Sequence, residues 1–115
     1  MQVLLQHVAH TRSGDKGNTS NIVVVAYHAA LYPELKRQLT AERFKAFHSG
    51  TVKGRVDRYE IDHLGMLNFV AHDALGGGVS RNLGLDNYGK SIASRILEFE
   101  LELPSELQHY LRGWS

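Results

Sequence analysis

Leu97-Glu98-Phe99-Glu100-Leu101-Glu102-Leu103 alternates apolar and acidic side chains without a break, and Pro104 stops it. Strict alternation is the pattern of a strand with one buried face. Leu97, Phe99, Leu101 and Leu103 are therefore expected in a core, with the glutamates on a solvated face and Arg58 as a cross-strand neutralising neighbour. A second constraint is Ile22 to Tyr27, a β-branched run apolar at consecutive positions, which predicts a strand covered on both faces. Val3 to Ala9 reads as another strand. The polar stretch His10 to Asn21 (HTRSGDKGNTSN) then reads as the loop between them.

Helical spacing appears at Leu31, Leu35 and Leu39, with Pro33 near the start, and again at Ala41, Phe44 and Phe47 behind a Thr40 cap, with Ser49-Gly50 as the stop. Arg55 to Asp62 is a third strand. Leu64 to Leu75 fits a helix with Leu67, Val70, Ala71 and Ala74 inward, which would make Asn68 and His72 neighbours four residues apart. Ser105-Glu106-Leu107-Gln108 fits a capping box opening a terminal helix with Leu107, Tyr110, Leu111 and Trp114 on its apolar side. Strands and helices without regular βαβ alternation indicate an α+β domain, helices on one face of a mainly antiparallel sheet. At 115 residues the chain holds one core, with residues 1–104 as the domain and 105–115 as a helical tail.

A chain 43% hydrophobic and 22% charged, with a net charge of +1 and scattered cations, is a folded protein without the electrostatic footprint of a nucleic-acid binder. It contains no cysteine, which removes disulfides and thiolate chemistry. The opening MQVLLQHVAH has neither a basic n-region nor a long apolar core, so no signal peptide or membrane span is expected and the cytoplasm is the default compartment.

Gly84-Leu85-Asp86-Asn87-Tyr88-Gly89-Lys90-Ser91 satisfies G-x-x-x-x-G-K-[ST] letter for letter. A phosphate-binding loop needs a buried parallel strand before it and further strands carrying a magnesium ligand. Ser80-Arg81-Asn82-Leu83 is too polar for such a strand, and Asp86 to Gly89 is good turn chemistry, so the match is rejected. Seven histidines show no ligand spacing, so no metal is expected; His7 and His10, three apart on a strand, would face opposite ways.

Two constellations remain. In the first, Ser13-Gly14 and Lys16-Gly17 permit turns that expose backbone amides, Arg12 and Lys16 add cations, and Asp15 is either a base or a loop-fixing side chain. The loop suits a carboxylate or phosphate, yet a well-capped connection explains the same composition. The second joins Asn68 and His72 to Gly76, Gly77, Gly78, Ser80 and Arg81, a pocket wall with a proton-transfer group, or simply a helix stop.

HTRSGDKGNTSN, LTAERFKAF, LNFVAHDALGGGVSRNLGLDNYGKS and LEFELELP together resemble the C-terminal ferredoxin-fold domain of the acyclic terpene utilisation protein AtuA, which also occurs as a stand-alone protein. The resemblance spans Val3 to Pro104 and implies a ferredoxin-like sandwich working beside a larger AtuA-type chain, in catabolism of branched terpenoid acids as coenzyme A thioesters. On the matching positions, the implied ligand-binding residues are His10, Arg12, Ser13, Gly14, Gly17, Asn18, Asn21, Asn68, Gly76, Gly77, Gly78, Ser80 and Arg81, and the catalytic candidates are Asp15, Lys16 and His72. No cofactor is implied beyond an acyl-CoA ligand. Three functions follow: the small subunit of an AtuA-type protein, a homo-oligomeric binding or assembly module suggested by the doubly apolar strand and the Trp114 segment, and an autonomous hydrolase or lyase. One mismatch stands: two strands precede the first helix, whereas a ferredoxin-like chain runs βαββαβ.

Overall fold

The computed structural model of the protein describes residues 1–16, 19–72 and 89–114. Six strands appear in these residues: β1 (Gln2–Leu4), β2 (Ala9–Lys16), β3 (Thr19–Ala26), β4 (Val56–Ile61), β5 (Met66–Ala71) and β6 (Glu100–Glu102). Helices α1 (Tyr32–Gln38) and α2 (Ala41–Phe47) lie between β3 and β4, and residues 89–95 are helical before β6. The order β2-β3-β5-β4 forms one antiparallel sheet, and β1 pairs with β6 in a second.

Inserting β5 between β3 and β4 makes β3-helices-β4 a split β-α-β unit. From β3 onward the described elements run βαββαβ, which removes the mismatch: β1 and β2 are additions ahead of the ferredoxin-like order, and β2 takes the sheet edge beside β3.

Side-chain alternation divides the large sheet into two faces. The inner face carries Ile22 and Val24 from β3 and Leu67, Phe69 and Ala71 from β5, all fully buried. The helices pack there. Phe44 of α2 stacks on Phe69 with ring centroids 4.2 Å apart, and Arg58 of β4 donates from Nη1 to the carbonyls of Lys36 (2.7 Å) and Leu39 (2.9 Å), closing the C-terminal end of α1. Buried Gln38 exchanges hydrogen bonds with the Glu102 backbone in both directions, at 2.7 and 2.8 Å, tying α1 to β6. Thr40 caps α2 by accepting from the Arg43 amide at 3.1 Å. Thr40→Ala is expected to cost about 1 kcal/mol in a urea titration with an unchanged m-value.

Several expectations need correction. His10 to Lys16 and Thr19 to Asn21 are not loop but strand, part of the β2–β3 pair that runs in register from Ala9↔Ala26 to Lys16↔Thr19; Gly17 and Asn18 lie outside the described residues. Polar residues form a strand here because the ladder satisfies the backbone whatever the side chains, and an edge strand needs little burial. Val3 to Ala9 is broken by a 3-10 turn at Leu5–His7, so His7 and His10 do not share a strand. The expected helix from Leu64 to Leu75 is instead the turn Asp62–Leu64, Gly65 at φ +62° and strand β5; residues 73–75 lie outside the described range. Leu67 and Ala71 satisfy both periods, and pairing with β3 and β4 selects the strand. Val23 and Val25 are only half-buried, so β3 is fully covered on one face, not two.

Ile96–Glu98 is a 3-10 turn that buries Ile96 in place of Leu97, and the alternation holds from Phe99 to Leu103. Arg58 reaches Glu60 (2.6 Å) rather than the terminal glutamates, and Glu102 accepts from the Met1 amino group at 2.9 Å. Ser105–Tyr110 is a 3-10 segment following Pro104 with no side-chain cap, so the capping box does not form. Its tail packs on this chain: the Arg112 guanidinium lies 4.4 Å from the Tyr27 ring centroid, Tyr110 stacks on His28 at 4.0 Å, and Trp114 meets His7 edge-on at 5.6 Å. Residues 89–95 form a helix that the sequence did not indicate, and Gly89, expected in a turn, belongs to it; Ile92 and Ala93 are buried within the segment and Ile96 just beyond it.

Candidate functional site on the outer sheet face

Opposite residues in an antiparallel ladder share a face. His10, Arg12, Gly14 and Lys16 of β2 therefore lie on the face turned away from the helices, beside Val25, Val23, Asn21 and Thr19 of β3. Met66, Asn68 and Val70 continue that face on β5, and Ile61, Tyr59 and Asp57 on β4. His72 follows β5 with the same parity as Asn68 and Val70.

The two sequence constellations thus meet. Asn21 Nδ2 donates to Asn68 Oδ1 at 3.3 Å, one residue from each. Their meeting rests on strand register, not on the helical spacing that first linked Asn68 to His72. Arg12 and Lys16 are exposed, and the side of Gly14 where a Cβ would stand is open space. His10 lies 5.7 Å from the Tyr27 ring at the other end of the face.

Asp15 goes elsewhere. It shares the inner side with Ser20, whose buried hydroxyl donates to its Oδ1 at 2.6 Å. The backbone of Gly89 abuts both: a Cβ there would sit 2.5 Å from Asp15 Oδ1 and 2.9 Å from Ser20 Oγ. Thr11, on the same side, donates to the Ala93 carbonyl at 2.8 Å. Thr11 therefore fastens the hairpin to the helical residues 89–95, with Asp15 packed against Gly89, and the sheet separates Asp15 from Lys16 and His72. Ser13 also has inner parity but is exposed. Gly17, Asn18, Gly76, Gly77, Gly78, Ser80 and Arg81 lie outside the described residues.

One partner escaped the sequence reading. His72 Nε2 lies 2.9 Å from Asp57 Oδ2, and Arg55 Nε donates to the same oxygen at 3.3 Å. The His72 hydrogen bond, aided by Arg55, holds the Asp57 carboxyl below the usual aspartate range. Asp57 and His72 are fifteen residues apart and meet only because β4 and β5 pair, so no local spacing announces them.

Among the described residues no group of three or more His, Cys, Asp or Glu side chains is placed to hold a metal ion, and no helix is long and apolar enough to cross a membrane. Every strand pairing among the described residues is antiparallel; of the Gly84 to Ser91 motif only Gly89, Lys90 and Ser91 are described, and they are helical rather than part of a turn.

A split β-α-β sandwich with a convergent polar outer face defines a small ferredoxin-like α+β domain. The family model of the AtuA ferredoxin-like domain matches residues 3–102, and the chain belongs to that family. No curated protein and no solved structure matches it.

Proposed function

We propose that this protein is the small, anion-recognising subunit of an AtuA-type assembly acting on branched or terpenoid acids as acyl-CoA esters. The reading rests on the outer face, where the ladder aligns Arg12 and Lys16 around the open space over Gly14, next to the Asn21–Asn68 amide pair. Two cations flanking a gap beside amide donors suit a phosphate or carboxylate. This refines the expected anion-binding loop into a strand face. An enclosed pocket large enough for an acyl-CoA is not offered by a single sheet face, which favours a larger chain completing the site. Family membership supports an AtuA-like chain in that role.

Calorimetric titration with isovaleryl-CoA tests the reading. The Arg12→Ala/Lys16→Ala double variant should weaken binding at least tenfold, since each charge-assisted hydrogen bond contributes about 1.5–3 kcal/mol. Lys90→Ala, at an exposed position of the helical segment, should bind as the parent does. Equal loss in both variants, or no binding by the parent together with no AtuA-like chain recovered on the tagged protein, would sink it.

The apolar half of the same face favours a second reading, a homo-oligomeric module. Val23, Val25, Met66, Val70 and Ile61 are half-buried and Tyr59 is 54% exposed, and a sheet face of that composition suits a second copy. A clean monomer by light scattering would remove it. An autonomous hydrolase combining Asp15, Lys16 and His72 draws no support from a geometry that sets Asp15 on the other side of the sheet.

A further inference from the structure

The geometry points to His72 as a general base, positioned by Asp57, that abstracts a proton next to the carbonyl of a small oxo-acid or acyl ligand lying across the outer face from Lys16. This inference rests on the anion-recognition reading above.

The proton placement follows from the contacts. Two groups lie at Nε2, the Asp57 carboxylate oxygen at 2.9 Å and Arg55 Nη2 at 3.3 Å; the nearer is a pure acceptor, which puts the hydrogen on Nε2 and, in the neutral ring, the lone pair on Nδ1. Asp57 thus fixes the tautomer and stabilises the imidazolium that forms when Nδ1 takes a proton, the arrangement by which a carboxylate orients a catalytic histidine. Arg55 Nε contacts the same Asp57 oxygen at 3.3 Å. His72 is 34% exposed, so a ligand can reach it.

The rest of the face supplies what enolate formation needs. Lys16 belongs to β2, two strand spacings or about 10 Å from β5, within reach of a ligand only a few bonds long. Asn21 lies one strand over and one pleat along from His72; one of its amide hydrogens goes to Asn68 and the second, without a partner among the described residues, can donate to a carbonyl oxygen. Gly14, opposite Asn21, leaves room for that carbonyl. Among the described residues the side-chain polar contacts of the His72 ring are to Asp57 and Arg55, so no hydroxyl or thiol is hydrogen-bonded to it as an activated nucleophile. Proton abstraction therefore fits better than acyl transfer. In the step, Nδ1 takes the α-proton, the C–H electron pair forms the carbon–carbon double bond of the enolate, and the carbonyl π pair moves to oxygen against the Asn21 N–H. Return of a proton from the imidazolium completes the cycle without a co-reactant.

The test is hydrogen–deuterium exchange at the α-carbons of levulinate in D2O, followed by proton NMR with the isolated chain. Exchange at least tenfold faster than the buffer blank is expected. It should fall to the blank in His72→Gln, and in His72→Gly it should return on addition of imidazole, a rescue that a structural role would not give. Asp57→Asn should slow exchange and displace its pH profile. Wild-type exchange no faster than the blank, or exchange retained in a folded His72→Gln protein, overturns the proposal. The anion reading fails separately: exchange would still depend on His72, while Arg12→Ala/Lys16→Ala left the half-saturating levulinate concentration unchanged. Retention of exchange by a chain that captures no AtuA-like partner would likewise separate the two.

Discussion

Acidification from pH 7 to 4 should cost this protein on the order of 3 kcal/mol of stability through one residue, His48. The residue is 2% exposed, neither ring nitrogen has a hydrogen-bond partner among the described residues, and it packs edge-on to Phe44 at 4.8 Å and to Phe47 at 5.4 Å. Burial among these rings, with the Arg95 charge nearby, pushes its pKa from 6.5 down to about 4. In the unfolded chain the imidazole protonates near pH 6.5, whereas in the folded protein it stays neutral until about pH 4. The unfolded state therefore binds the extra proton across that window. Stability is fully present above it, declines by about 1.4 kcal/mol per pH unit within it, and levels off for this group below it. Urea unfolding of wild type and His48→Phe at pH 7.5 and pH 4 would isolate the contribution. The phenyl variant should lose that part of the acid dependence and gain about 1–3 kcal/mol at pH 7.5, because an unsatisfied buried polar ring is replaced by an apolar one. Equal acid sensitivity in the two proteins would refute the assignment.

Gly89→Ala should destabilise by about 2 kcal/mol, although alanine is the better helix former by about 1 kcal/mol. The new Cβ would be 2.5 and 2.9 Å from the Asp15 carboxylate oxygens and 2.9 Å from Ser20 Oγ. The carboxylate can move only by giving up its 2.6 Å hydrogen bond and leaving a fully buried serine hydroxyl without its acceptor. A double-mutant cycle gives the sharper result: in an Asp15→Ala background the same substitution should cost much less. Additive losses, or a net gain from helix propensity, would show that the junction is not tight. The glycine that makes Gly84 to Ser91 look like a nucleotide loop is thus required for close contact between a helical segment and a hairpin.

Elements with purely local causes were legible. Leu31, Leu35 and Leu39 recur at helical spacing and are all fully buried, and Thr40 caps the helix expected of it. Local patterns were ambiguous where two periods fit the same residues, as from Leu67 to Ala71, and where a polar sequence is held by its ladder, as from His10 to Lys16. The candidate site was named piecemeal. Arg12, Lys16, Asn21, Asn68 and His72 could be picked out as chemically apt, while Asp57 could not, since nothing near it in the chain marks it.

The sequence by itself determined the class of fold, many of the core side chains and the residue types available for chemistry, because burial periodicity and side-chain chemistry are properties of short stretches. Only the tertiary structure decided which of those residues act together. Strand pairing sets register, and a period of two makes facing absolute, so one residue separates Lys16 on the outer face from Asp15 on the inner. By the same rule, pairing of β4 with β5 and of β3 with β5 joins Asp57 to His72 and Asn21 to Asn68 across long stretches of chain.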